Sequence, residues 1–239
     1  MLQKSRGIVF RSTDYGETSL IVKIYTELFG VQSYIINSVR KRHARLHANI
    51  FQPMTPVHLV VYQKGRPGIH RIADVRPHPP LLNIPFDVQK SSMIFFLDEV
   101  LFKSIHEEES NPAMFDFIYD SICRLDKPGP AGNEFHLLFL LKLSRFLGFA
   151  PSRNFSKERN IFNLKEGVFQ NSIPDHPHFI SGTLAVYFSE MLDAEYDSVR
   201  DISSTNRRLL IEAIVEYYQL HVDGFGNIRS HKVLEQVWE

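Results

Sequence analysis

Side chains that can do chemistry in this 239-residue chain fall into one large group and several small ones, and the large group is cationic. Arg6, Arg11, Lys23, Arg71 and Arg76 alternate with apolar residues, Arg40-Lys41-Arg42 with Arg45 form one cluster, and Lys64 and Arg66 flank Gly65. Guanidinium and ammonium groups set at intervals along a small domain neutralise successive phosphates and release counterions, so the chemistry they suit is gripping a nucleic-acid backbone. Tyr15, Tyr25, Tyr34 and Tyr62 lie among them. Exposed rings of this kind stack unpaired bases at about 1–3 kcal/mol each.

The smaller groups carry less. Asp175-His176-Pro177-His178 is the compact set of candidate metal ligands, with His176 and His178 as the imidazoles. Glu107-Glu108-Glu109 is acidic, but three successive carboxylates diverge around a helix end instead of converging on an ion. Cys123, the lone cysteine, can form neither an intramolecular disulfide nor a thiolate zinc site, and its apolar neighbours Ile122 and Leu125 suggest a buried thiol. No Walker loop, dinucleotide fingerprint, nucleophile elbow or HExxH occurs. The expectation is a protein that is not an enzyme, needs no cofactor and no metal, and works through binding energy.

The net charge of zero conceals a division. Residues 1 to 79 hold twelve Lys and Arg against four Asp and Glu, whereas residues 80 to 239 hold fifteen against twenty-three. An excess of eight positive charges on the first segment attracts polyanions, and the equal negative excess on the remainder does not. With hydrophobic residues at 44% the composition is that of a globular protein. The amino terminus lacks a signal-peptide pattern and no apolar run reaches 18 residues, so a cytoplasmic, nucleoid-associated protein is expected.

The elements that must position the cations read as strands. Alternation of period 2 marks 7–11, 20–25, 31–36, 57–62 and 69–75, with turns at Ser12 to Gly16, Phe29-Gly30 and Lys64 to Gly68. A short helical stretch, 43–51, intervenes between the third strand and the fourth, ended by Pro53. Five strands in that order predict an OB-fold, a small barrel that commonly binds oligonucleotides.

Prolines 77, 79, 80 and 85 place the domain boundary near residue 79, and beyond it the period becomes 3.6. Helices are predicted at 93–105, 114–125, 134–148, 183–192, 205–221 and 230–238, the third so apolar that it must be core. A long loop, 151–180, interrupts them, with a small hairpin between Phe162 and Phe169. The fold class is therefore α+β multidomain: an amino-terminal five-stranded OB-fold barrel at 1–79 and an all-α helical domain at 80–239.

Several segments resemble the RecO family of recombination mediator proteins: Tyr15-Gly16-Glu17-Thr18-Ser19-Leu20-Ile21-Val22, Thr26-Glu27-Leu28-Phe29-Gly30, Val39-Arg40-Lys41-Arg42, Leu147-Gly148-Phe149-Ala150-Pro151 and Gly224-Phe225-Gly226-Asn227-Ile228-Arg229-Ser230. The resemblance spans the chain. It implies an OB-fold followed by a helical domain, binding of single- and double-stranded DNA, annealing of complementary strands, and help in loading a recombinase onto DNA coated by single-strand-binding protein. The implied partners are RecR and the acidic tail of single-strand-binding protein, for which Arg124, Lys127, Arg145, Arg207 and Arg208 are candidate contacts. Many members of the family carry a four-cysteine zinc ribbon after the Leu-Gly-aromatic-x-Pro segment; here Ser152 to Phe169 holds no cysteine. Packing of Phe155, Phe162 and Phe169 is expected to replace the metal. Two other readings compete, an OB-fold RNA-binding protein and a non-catalytic protein-interaction adaptor.

Overall fold

In the computed structural model, residues 2–37, 39, 48–62, 68–198 and 202–237 are described. Two compact units divide the chain, Met1–Pro128 and Gly129–Glu239. The first holds the expected barrel, made of β1 (Leu2–Tyr15), β2 (Ser19–Thr26), β3 (Gly30–Ile36), β4 (Pro56–Tyr62) and β5 (Ile69–Pro77), closed in the order β1-β2-β3-β5-β4. All neighbours are antiparallel except β3 and β5, whose parallel pairing closes the barrel. Period-2 alternation turns Val9, Val22, Ile24, Val57, Leu59, Val61 and Val75 inward around Tyr34 and Phe51. Gly7 faces the same interior, where a Cβ would stand 2.7 Å from both Ile24 and Leu59 side chains.

Two differences from the sequence reading concern the strands and their connection. Ser12 to Tyr15, read as a turn, continues β1 in register with β2 as far as the pair Tyr15↔Ser19. These residues are exposed, so no burial pattern marks them, and the ladder alone extends the hairpin to the positive-φ Gly16. The predicted 43–51 helix appears as a 3-10 turn at Ala48–Phe51, and its earlier part lies outside the described residues.

Two helices complete the first unit, α1 (Val88–Ser104) and α2 (Pro112–Leu125). Asp87 caps α1 by accepting from Lys90 N, and Asn111 caps α2 by accepting from Met114 N, with Pro112 opening the helix. Both pack on the outer surface of β1 and β2: Phe10 stacks on Tyr25, and Tyr25 meets Phe115 of α2, each at 5.7 Å between ring centroids.

The second unit holds α3 (Phe135–Phe146), a sheet of β6 (Ile161–Asn163), β7 (Val168–Gln170) and β8 (Phe179–Ile180), then α4 (Gly182–Leu192), α5 (Ser204–His221) and α6 (His231–Val237). The expected hairpin is β6–β7, and β8 adds a third strand of two residues that carried no periodicity. Phe162 is fully buried and meets Phe169 at 4.8 Å, Phe188 at 4.5 Å and Tyr217 at 5.8 Å, while Phe155 meets Phe169 edge-on at 5.2 Å. Packing of the three phenylalanines thus holds this segment together.

Candidate nucleic-acid interface

A bulge in β1 sets the geometry of the site. Between the pairs Val9↔Ile24 and Arg11↔Lys23, Phe10 is the extra residue, and it turns outward into full burial against Tyr25. Past the bulge, Arg11 and Lys23 stand opposite each other on one face of the β1–β2 hairpin. Both lie over Phe102 of α1: the Arg11 guanidinium carbon is 4.2 Å and Lys23 Nζ 5.3 Å from the ring centroid. The ring's quadrupole attracts both cations and helps position them. Tyr15, at 53% exposure, lies farther along the same hairpin.

β3 leads to the same end of the barrel, because Leu20 pairs with Ile36 and Ser19 Oγ bonds Asn37 Oδ1 at 3.2 Å. The chain therefore departs for the basic segment from beside the hairpin. Arg40, Lys41, Arg42 and Arg45, like Lys64 and Arg66, lie outside the described residues.

Arg71 stands elsewhere. It is exposed on β5, opposite Tyr62 of β4, which is 46% exposed. Arg6 serves the fold. Its guanidinium donates to both Glu27 oxygens at 2.8 and 2.9 Å and to Asp116 Oδ1 at 2.6 Å, and it lies 5.0 and 5.1 Å from the Phe115 and Tyr119 ring centres. With its charge engaged by two carboxylates, it pins α2 to the barrel and has little left for a phosphate. The reciprocal effect is a Glu27 carboxyl held below the usual carboxylate range by the Arg6 hydrogen bonds.

Two of the four tyrosines offered as stacking rings are structural. Burial pushes the Tyr25 and Tyr34 phenols well above their ordinary value, Tyr25 beneath α2 and Tyr34 inside the barrel. His178 is engaged too, its Nδ1 2.5 Å from Glu216 Oε1, with the His176 ring 5.6 Å away. Among the described residues no group of three His, Cys, Asp or Glu could hold a metal ion. Burial, then Asp120 and Asp126, push the Cys123 thiol up, the opposite of an activated thiolate. Arg207 bonds the Ile202 carbonyl at 2.5 Å and approaches Glu134 at 3.9 Å.

Sequence reasoning missed Phe102 and Asp98, both on α1. Asp98 is buried, with one oxygen lacking a hydrogen-bond partner among the described residues, and burial raises its carboxyl to about 8 against the opposing influence of Arg11. An acid inside a predicted helix was the available signal. Among the described residues no helix is long and apolar enough to cross a membrane.

Comparison with known proteins agrees with this architecture. The profile described as "Recombination protein O N terminal" matches residues 1–80, and "Recombination protein O C terminal" matches 85–230. Proteins named DNA repair protein RecO from Azobacteroides pseudotrichonymphae and Bacteroides fragilis are each 31% identical over the full length of both chains. The protein of that name from Flavobacterium psychrophilum is 31% identical over 98% of each. With both profiles covering nearly the whole chain and a closed five-stranded barrel where the first of them lies, the chain belongs to the recombination protein O (RecO) family.

Proposed function

We propose that this protein acts in DNA repair and recombination as a mediator that binds single- and double-stranded DNA and anneals complementary strands without catalysing a reaction. It would assist recombinase loading onto DNA coated by single-strand-binding protein. The observation that carries the reading is the Arg11–Lys23 pair, two cations held over Phe102 on the projecting hairpin of an OB-type barrel. Annealing requires two phosphate backbones to approach, and cations positioned on the barrel surface offset their repulsion. The basic segment Arg40-Lys41-Arg42 with Arg45, which follows β3 in the chain, and Lys64 and Arg66 are assigned to the same DNA-binding role. The barrel at 1–79 is assigned to DNA, and the acidic remainder, 80–239, to a RecR-type mediator and the tail of single-strand-binding protein.

Fluorescence-monitored annealing of complementary strands, with and without single-strand-binding protein, tests this. Arg11→Glu/Lys23→Glu is expected to slow annealing and to reduce the slope of log affinity against log salt by about two on duplex DNA, one for each lost contact. Unchanged annealing and slope in a folded double variant would remove the hairpin from the interface.

A further inference from the structure

The barrel has a second cationic wall. Val57, Leu59 and Val61 of β4 point into the core, so His58, Val60 and Tyr62 point out. Register then fixes three outward rows across β1, β4 and β5: Arg6–His58–Arg76, Lys4–Val60–Asp74 and Leu2–Tyr62–Arg71. Arg6 is more than balanced by Glu27 and Asp116, yet the four cations Lys4, Arg6, Arg71 and Arg76 against the three carboxylates Glu27, Asp74 and Asp116 leave this wall net positive before any histidine is protonated. A pocket of about 460 Å³ opens on it, lined by Lys4, Arg6, Glu27, His58, Asp74 and Arg76. The His78 ring lies 3.9 Å from that of His58. At the other end, Tyr62 and Leu2, at 46% and 53% exposure, form an apolar shelf.

This wall is distinct from the hairpin site. The two share β1, but Lys4 and Arg6 pair toward β4 on one side of the bulge and Arg11 pairs with Lys23 on the other, and in the closed order β1-β2-β3-β5-β4 the strands β2 and β4 are never neighbours. α1 meets Arg11 and Lys23, whereas α2 meets Arg6 and, through Tyr119 Oη donating to the His78 carbonyl at 3.0 Å, the edge of the second wall.

We infer that the outer wall of β1, β4 and β5 is a second nucleic-acid track that holds a single strand, phosphates toward Lys4, His58 and Arg76 and a base on Tyr62. The inference rests on the DNA-binding reading above and adds a separate place for a second strand. Rows along the wall repeat every two residues, about 6.8 Å, a spacing commensurate with the phosphates of an extended single strand. Charge complementarity selects that occupant.

The histidine gives the wall its own signature. His58 faces Arg6 and Lys4 from β1, Arg76, Asp74 and His78 from β5 and its end, Glu27 from the β2–β3 turn, and Asp116 and Tyr119 from α2 beyond Arg6. Burial, then His78, Arg76 and Arg6, hold the His58 imidazole below its ordinary value, with Glu27 opposing. A phosphate seated there stabilises the imidazolium, so binding takes up a proton and tightens as pH falls.

The test uses the full chain with donor-labelled and acceptor-labelled dT15, which cannot pair with each other. Energy transfer between them reports two strands on one protein particle. The wild-type protein is expected to give transfer, and Lys4→Gln/Arg76→Gln to bind one dT15 normally while needing about tenfold more protein for transfer. The wild-type midpoint is expected to fall about threefold or more from pH 7.5 to 6.0, with His58→Gln abolishing that change. Transfer by the double variant at the wild-type midpoint would overturn the second track while leaving the hairpin reading intact, as would an unaltered pH response in His58→Gln. Failure of wild-type protein to bind dT15 at all would overturn both.

Discussion

Gly30→Ala tests how the barrel and its first helices are joined. Gly30 opens β3 at φ +61°, and a Cβ there would lie 2.7 Å from Glu109 N and closer still to the Glu107 and Glu109 carbonyl oxygens. Gly16 supplies the control, since its φ of +59° is nearly the same and no heavy atom lies within 4 Å of its Cβ position. Left-handed backbone costs an alanine about 1–2 kcal/mol, partly offset by about 0.4–1 kcal/mol of lost freedom in the unfolded chain. Gly16→Ala is therefore expected to destabilise by about 1 kcal/mol. Gly30→Ala must in addition displace the 105–111 linker, because its obstacles are backbone atoms. That breaks the hydrogen bond from Val31 N to Glu107 O, 2.9 Å long, and strands a buried donor at about 1–3 kcal/mol. The total is about 2–4 kcal/mol. In urea, with a slope of about 2 kcal/mol per molar, the midpoint followed by far-UV circular dichroism should fall by about 1–2 M, against about 0.5 M for Gly16→Ala. Equal shifts in the two variants would refute the packing argument and leave only backbone strain.

Other substitutions separate structural charges from functional ones. Arg6→Met should cost about 1–2 kcal/mol, modest because its partners are partly solvated, and should leave the salt dependence of DNA binding unchanged. Because Glu27 is held below its unfolded value, near 4.5, its contribution is complete above that pH and is lost as pH falls through the folded value; Arg6→Met should flatten this acid limb of the stability profile. Asp98 has the opposite sign. Its carboxyl is raised from 3.8 to about 8, so the native state holds a proton the unfolded chain has released, and stability declines between those pH values. Asp98→Asn should remove that decline, a gain on the order of 3 kcal/mol at pH 8 relative to pH 5, read as a flat denaturation midpoint across the interval. Phe162→Ala should cost about 3–5 kcal/mol in the second unit by emptying the space among Phe169, Phe188 and Tyr217, as measured by thermal unfolding.

The barrel was legible in the sequence because its inward residues alternate with period 2 and its turns carry glycine, both local signals. Helix existence was equally plain: the apolar faces of α2 and α5 repeat every three to four residues, and α3 is apolar at most of its positions. What escaped depended on distant partners. Arg6 reads like any strand cation until Asp116, 110 residues away, is brought to 2.6 Å. Tyr25 reads like an exposed ring beside Lys23, and α2 buries it. β8 has two residues and exists only because Phe162 and Asn163 pair with it, which no periodicity can announce.

The same long-range contacts decide where a ligand can reach the barrel. OB-folds commonly offer the surface of β2 and β3, but here that surface is not uniformly open. At the Gly30 end, Tyr25 lies under Phe115 and Val31 N is bonded to Glu107 O, so α2 and the preceding linker occupy it. At the other end, beyond the Lys23↔Ser33 pair, β2 and β3 run into the exposed hairpin and the departure toward Arg40. A strand laid on the β2–β3 surface would therefore have to enter from the hairpin end, where Phe102 holds Arg11 and Lys23. Helices that appear in the sequence as the start of a separate domain thus act as a mask, leaving, among the described residues, the hairpin end and the β1–β4–β5 wall as cationic barrel surface that such a strand could reach.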